Sequence, residues 1–506
     1  MAFEIITTPA RNLSLNNVSF WGAVFNPQVF EYQRKDVAVL SIEDGTDPNT
    51  LDITIDKPTG TVDMTNFIGS RLYVKTQNVD GFYNVISYSE PTVDTYKIVV
   101  SGLTSGIPQT GFLNSDIFRP SFRFMTKVTI NESASIDLVA KHSPNSRGVC
   151  RVDLQAYLKA FTSSEDNLMN YSVLTTLDTN RFVKYTLNIA EAYGTQQTEF
   201  TFIPQEYFGS HSALQFNPYG SNMAAYVPFL IEPNENKKAK FLTTVEQPTL
   251  VIGKPFDLSF ILSGEVAAKQ LYCGYIPLDV NKNVVVGGLV SAALLINPFD
   301  YLNINPNGDH LLISDNSALV YEVDATEGVN RLVILDSYAA GVEFVQVYLF
   351  YLNDDNEAVR VTETKTVKVS RCDDEEGVYI KWLNLLGGWD YQLFDFRVEH
   401  AIDVSSRTYI DRLIMDYSTQ NATQDVLSMA AQNRVTVGKN TVDKAGMKAL
   451  SGLLTSPKVY LLTNPNPYQW QTVVVDTKGV TLYDTHNGFG NFETVLKLPK
   501  LNLQTN

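Results

Sequence analysis

Five histidines, three cysteines and 55 acidic side chains are the groups from which this chain would have to build a reactive centre. The histidines (His142, His211, His310, His400 and His486) are scattered, and none has a partner at metal-ligand spacing. His310 follows Asn307-Gly308-Asp309, a turn, where a solvated imidazole is expected. Cys150, Cys273 and Cys372 are odd in number and lack the short spacings of a zinc site or a disulfide framework, so all three read as buried apolar residues. Cys150 lies eight residues after His142, but Arg147-Gly148-Val149-Cys150-Arg151-Val152 reads as a strand and its thiol as a core group.

The run Asp279-Val280-Asn281-Lys282-Asn283 begins like a calcium loop and then fails, with Val284 where the loop needs Gly and Val290 where it needs Glu; a hairpin turn is expected there. Asp373-Asp374-Glu375-Glu376 reads as a solvated linker. No P-loop, dinucleotide fingerprint, nucleophile elbow or HExxH helix is present. A glycosidase pair needs only two carboxyl groups about 5–10 Å apart in space, which linear spacing neither supports nor excludes. No catalytic, cofactor-binding or metal-binding residue is assigned, and no cofactor is expected.

The elements that would position any such groups are mostly strands. In SFRFMTKVTI (121–130), Phe122, Phe124, Val128 and Ile130 fall at period two. Residues 71–102 read as three strands turning at Asp80-Gly81 and near Pro91, 342–369 as a long hairpin with Asn353–Asn356 at its tip, and 458–476 as a hairpin through Asn464-Pro465-Asn466-Pro467. Helices are few. Asp153 is placed to cap a helix over 154–161, and Asp443 another over 444–456, with Met447, Leu450 and Leu454 on one face. The fold class is mainly β: several domains of β-sandwich (Ig-like) and small β-barrel type with few short helices. Turn-rich stretches divide the chain into 1–119 with a barrel-like module, 120–238, 239–371 and 372–506.

The net charge of −16 disfavours generic binding to duplex DNA or an anionic bilayer. Residues 401–506 hold 10 Lys and Arg against 8 Asp and Glu, so the negative charge lies upstream; a mildly basic segment of this kind usually reads as a solvated surface, with head-to-tail association of the two ends as the alternative. MAFEIITTPARN lacks the basic start and apolar core of a signal peptide. The longest nearly apolar run, 284–296, is too short for a membrane span.

The segment WLNLLGGWDYQLFDF (382–396) carries two of the four tryptophans around Gly387-Gly388. It reads as two strands joined by a tight bend, anchoring the C-terminal β domain through its own core or a neighbour's. Trp382, Trp389, Tyr391, Phe394 and, further on, Trp470 are the candidate aromatic anchors for assembly.

These segments also carry a resemblance. RVDLQAYLKAF (151–161), FVKYTLNIAEAYG (182–194), FLTTVEQPTLVIGKPFDLSFIL (241–262), GVYIKWLNLLGGWDYQLFDF (377–396), SPKVYLLTNPNPYQWQTVVV (456–475) and LKLPKLNLQTN (496–506) occur in an order similar to that in structural virion proteins of tailed phages infecting Bacteroides-type bacteria, including crAss-like phages. Residues 68–88 look like a small barrel module of tail and adaptor proteins. The resemblance implies a non-enzymatic ring, barrel or baseplate component of the virion tail. It would be made in the host cytoplasm and would assemble as a homo-oligomer with other tail proteins, without membrane insertion or specific nucleic-acid binding. An acidic surface bordering the DNA channel would let DNA slide by like-charge repulsion. Two other readings stay open: a carbohydrate-binding or depolymerising tail protein with Trp389 and Tyr391 stacking on sugars, and an Ig-like bacterial surface adhesin.

Overall fold

The computed structural model describes residues 4–5, 12–14, 20–25, 37–56, 68, 71–76, 80–101, 111–113, 123–130, 135–144, 149–166, 171–193, 196–197, 201–213, 223–227, 238–285, 303–304, 311–312, 319–354, 358–371, 377–411, 418, 424–477, 479–481 and 488–501. They are mainly β, arranged as several antiparallel sheets with three short or medium α-helices among the described residues. Most of 284–296, the acidic run 373–376 and its neighbour Cys372, and His310 and His486 fall outside the described residues.

Strands Val37–Asp44, Thr50–Asp56, Arg71–Thr76, Asp80–Thr92, Thr95–Ser101 and Gly111–Leu113 close into a barrel, so this module has no free sheet edge. Its interior follows from strict alternation: Tyr96, Ile98 and Val100 point inward from one strand and Leu51, Ile53 and Ile55 from the next. The turns differ from the sequence expectation. Asp80 already pairs with Lys75, and Pro91 lies within a strand, the reversal falling at Val93-Asp94.

The barrel does not stand with residues 1–36 as one N-terminal unit. Glu4–Ile5 and Val149–Asp153 pair on either side of Phe20–Phe25, and Asn12–Ser14 runs parallel to the end of Thr201–Ser210. The barrel is therefore an insertion into a domain whose second sheet is ordered Ile136–His142, Arg123–Ile130, Phe182–Tyr193, Thr201–Ser210, Asn12–Ser14. Phe124, Val128 and Ile130 lie in its core, with Cys150, Val152 and Leu158 packed across. The helix expected over 154–161 is a single turn, Gln155–Leu158, continued as a 3-10 turn, with the Asp153 carboxylate accepting from Gln155 N.

The next unit is sandwich-like. Thr175–Leu177, Gly328–Val333 and Asp257–Leu262 form one sheet, and Thr249–Val251, Lys365–Ser370, Phe344–Leu352, Leu271–Leu278 and Leu319–Val323 the other. Thr175–Leu177 comes from the preceding sequence segment, so the boundary near 238 is bridged by strand pairing. The hairpin at 342–369 lies inside this unit. Val345, Val347 and Leu349 face the sandwich core while Tyr348 and Phe350 fill a second cluster, leaving neither face of the strand free.

The C-terminal sheet is ordered Trp389–Phe394, Val378–Leu383, Val459–Pro465, Tyr468–Val475, Phe489–Lys500, Gln424–Asp443, Arg397–Asp411. Helix Lys444–Thr455 starts where expected, the Asp443 carboxylate accepting from Gly446 N at 2.7 Å. Its Met447, Leu450 and Leu453 cover Trp382, Phe394, Val435 and Val437.

Gly387 and Gly388 join the first two of these strands and press on other units. Gly387 has φ +87°, and a Cβ there would stand 2.7 Å from the His211 carbonyl oxygen; one on Gly388 would stand 2.1 Å from that of Leu242. The Asn384 side chain organises the bend, accepting from Leu386 N and Gly388 N and donating to Leu242 O. Gly388→Ala is therefore expected to destabilise the chain by about 1–3 kcal/mol through forced backbone displacement. Gly479→Ala, which meets nothing within 4 Å, should leave the denaturation midpoint unchanged. Parallel urea titrations of the two variants make the comparison.

Candidate functional site

The described residues offer three places where function can reside: a buried cluster of charges, a polar groove and a projecting ribbon. The cluster lies where segments of three sequence domains meet. Lys381, on Val378–Leu383, places its ammonium 2.5 Å from Asp166 Oδ2 and donates to Tyr171 OH at 3.1 Å. Arg331, on Gly328–Val333, donates through Nη1 to Asp166 Oδ1 at 2.9 Å and through Nη2 to Asp257 Oδ2 at 2.5 Å. Tyr391 OH donates to the same Asp257 oxygen. Four rings surround the ammonium: Trp470 at 4.1 Å, Tyr460 at 5.2 Å, Trp389 at 5.4 Å and Tyr171 at 5.6 Å from Nζ to centroid. A second buried guanidinium, Arg181, lies over Trp389 at 4.7 Å and pairs with Asp178.

A lysine of depressed pKa is a usual sign of nucleophilic or base chemistry. Burial, opposed by Asp166, brings Lys381 down to about 8. Its ammonium is nevertheless fully enclosed, its hydrogen bonds go to Asp166 and Tyr171, and the rings fill the space a substrate would need. Burial would also lower Arg331, but Asp257, Tyr171, Tyr391 and Asp166 outweigh it and hold its pKa well above the ordinary range. The arrangement can do one thing chemically: hold charges fixed between segments. Ion pairing and cation–π attraction are both strengthened in such a medium, and both depend on every member staying in place.

All five aromatic anchors expected from sequence are brought close together inside one chain. Trp389, Tyr391 and Trp470 belong to the sandwich core or pack against it, while Trp382 and Phe394 lie under the helix. The bend at 384–388 draws the Trp389 strand inward; Trp382, Trp389, Tyr391 and Phe394 are buried in the chain's own core, and Trp470 is partly buried against it. Sugar stacking on Trp389 and Tyr391 is likewise closed off, because neither ring face reaches the surface. Sequence reading missed Lys381, Arg331, Asp166 and Asp257. The available signal was a single charge inside an apolar strand run, as in VYIKWL, VNRLVIL and PFDLSFIL. Cys150 and Cys273 are buried as expected, with the Cys150 thiol pushed up to about 11 by burial. Asp279 closes a turn by accepting from Asn283 N at 2.8 Å. No group of three or more metal-ligating side chains occurs among the described residues.

The groove is a cavity of about 650 Å³ between the loop Val245–Gln247, the stretch Glu363–Thr366 and the first turns of helix Lys444–Thr455. Glu246, Glu363 and Asp443 oppose Lys365 in its lining. Asp443 is occupied as the helix cap and Glu363 Oε1 accepts from Phe241 N at 3.3 Å, whereas Glu246 is exposed.

The ribbon consists of Arg397–Asp411 and Gln424–Asp443, the longest pair of strands in the described chain. Near its base, Gln432–Asp443 also pairs with Phe489–Lys500; further out, Gln424–Ala431 has no third strand among the described residues. The face that carries Val398, Val435 and Val437 over the core continues outward as Ile402 (63% exposed), Val404 (47%) and Met429 (36%). The apolar face thus outruns its own cover. Two register shifts, at Val404/Ser406 and Thr408/Tyr409, twist the edge away from simple strand addition.

Removing one partner of a buried ion pair costs about 3–5 kcal/mol. Asp166→Ala should be the more damaging change, since it strands the Lys381 charge. Lys381→Met should cost less, because Asp166 keeps Arg331. Thermal midpoints of the two variants test that order. Burial, with Arg181 and Lys159 adding repulsion, lowers His211 to about 4, its Nδ1 lying 3.1 Å from Thr162 Oγ1. Because the unfolded chain binds this proton first, stability should fall as pH drops from about 6.5 to 4, by a total on the order of 3 kcal/mol from this group. His211→Asn should flatten that slope in denaturation series at pH 7, 5.5 and 4.

No protein-family model matches the sequence, and comparison with curated proteins finds no matching relative.

Proposed function

We propose that this chain is a structural virion protein of a tailed phage, working by assembly rather than catalysis as one of several copies in a tail ring, barrel or baseplate. The observation that carries the reading is the ribbon Arg397–Asp411/Gln424–Asp443, whose apolar face continues past the chain's own core. An isolated two-stranded ribbon is marginal in water. Apolar side chains on its outer half call for cover by another polypeptide. A projecting arm seated on the next copy makes a heterologous contact, which closes into a ring when the rotation fits.

The buried cluster supports the same reading from the other side. It ties three sequence domains into one body, and a body that carries an arm must transmit force without its units separating. The acidic balance of −16 suits a part that sits beside DNA without holding it. Localisation in the virion tail, other tail proteins as neighbours and host-cytoplasmic synthesis belong to the proposal.

Sedimentation of the full chain over a wide concentration range, with electron microscopy of the same samples, tests it. The intact protein should self-associate, and a variant with residues 404–430 replaced by a short Gly-Ser turn should remain monomeric while keeping its thermal midpoint. An intact chain that stays monomeric at every concentration, or a truncated one that associates equally well, would overturn the proposal.

A further inference from the structure

The second sheet of the domain that receives the barrel ends on Ile136–His142, which pairs with Arg123–Ile130 and has no strand on its other side among the described residues. A free edge offers a row of unpaired N–H and C=O groups, and proteins usually blunt it with proline, a bulge or burial. The other long edges are blunted in this way. Arg397–Asp411 is broken by two register shifts, and Trp389–Phe394 and Asp257–Leu262 are almost wholly buried. Ile136–His142 has neither proline nor glycine, keeps one register with its neighbour along its whole length and lies at the surface. Val139 is 52% exposed and Ile136 41%. Asp137, Val139 and Lys141 share the outer face at period two. Asp137 is held there by Lys127 at 2.7 Å and by Thr129 Oγ1, which donates to it at 2.8 Å, with about half of its side chain still open to water. Lys141 is exposed and forms no ion pair among the described residues.

We propose that this edge pairs antiparallel with the same edge of a second copy of the chain, about a twofold axis through Val139. The order of charges along the strand selects that partner and that register. A twofold at Val139 sets Asp137 of each copy opposite Lys141 of the other, so an ion pair lies on either side of the contact between the two Val139 side chains. A twofold at Asp137 or Lys141 would set like charges face to face, and one at Leu138 or Ala140 would set a charge against Val139. On the other face Ile136 lies opposite His142 of the second copy, and Leu138 opposite Ala140, so the apolar margin of the core beneath continues from one copy into the next. The strand is about 23 Å long at roughly 3.3 Å per residue, a short contact that is marginal by itself. It gains weight where ribbon contacts already hold many copies together, since several edges then engage at once. To that extent the pairing rests on the assembly reading above, and it adds a contact of a different kind: the ribbon joins unlike surfaces, and the edge joins like ones.

Cross-linking in the full-length protein tests the pairing. Val139→Cys should be joined to its counterpart by a short bis-maleimide, because the twofold brings the two positions together. Val93→Cys, at an exposed barrel turn, should not be; Cys150 and Cys273 are buried, and the parent chain gives the background. Adding Lys141→Asp or Asp137→Lys to the Val139→Cys chain should in each case slow the reaction by roughly fivefold or more, since like charges then oppose across the strands. Mixing those two chains in equal amounts should recover most of the rate, because the carboxylates of one then face the ammoniums of the other; a merely damaged surface would recover nothing. Circular dichroism midpoints check folding, and Lys141→Asp, which leaves the Lys127–Asp137 pair in place, decides the matter if Asp137→Lys does not fold. Equal cross-linking at 139 and 93, a rate unmoved by Lys141→Asp, or a mixture that recovers nothing overturns the edge pairing, and ribbon-dependent self-association that persists in such a case leaves the assembly reading standing. A chain that neither self-associates nor cross-links at 139 removes both. One that cross-links at 139 without ribbon-dependent association keeps the edge pairing alone.

Discussion

Lys381 carries its charge where water does not reach, and the body of the molecule is organised around keeping that charge satisfied. Its carboxylate comes from Asp166 in one sequence domain. The guanidinium sharing that carboxylate comes from Arg331 in the next, and the rings over it come from Tyr171, Trp389, Tyr460 and Trp470. A buried ion pair is weak evidence for net stability, because desolvation can cost as much as pairing returns. It is a strong constraint on geometry, since a domain that shifted by a few ångströms would leave an unpaired charge in a low-dielectric interior. The polar cluster thus acts as a register for three sets of strands that apolar packing alone would hold less uniquely.

The same logic explains the glycines of the 384–388 bend. Where Gly387 and Gly388 run against the carbonyls of His211 and Leu242, backbone meets backbone with no side chain between. Asn384 and the Leu385 carbonyl fasten the bend to Leu242 and Ala213. Close approach and buried charge are two ways of fixing one orientation, and both lie at the junction of the same three segments.

Much of this architecture was legible in the residues, and what was not has physical reasons. Alternation in 123–130 and the cap at Asp443 located a strand and a helix correctly because period and capping are local. The aromatic residues Trp382, Trp389, Tyr391 and Phe394 of 382–396 are buried, but which partners cover Trp389 depends on where Arg181 and Tyr460 are carried, which no local pattern encodes. The hairpin at 342–369 and the ribbon at 397–443 look alike as alternating runs. The first strand of one is packed on both faces and the other ribbon projects, and only the tertiary neighbours distinguish them. Lys381 meets its carboxylate, Asp166, 215 residues upstream and the Trp470 ring about 90 residues downstream, beyond any motif spacing.

The pairing of Asn12–Ser14 with Phe208–Ser210 sets a timetable for synthesis. At roughly 5–20 residues per second, those first strands wait on the order of ten to forty seconds for their partner to leave the ribosome. The barrel between them closes on its own strands and can mature during that interval. Lys381 waits about half as long for Trp470, which emerges about ninety residues after it. The nascent chain therefore carries a finished module flanked by unfinished sheets until Thr201–Ser210 is made. The ribbon, emerging late, becomes competent to meet another copy only after most of the body it belongs to has been laid down.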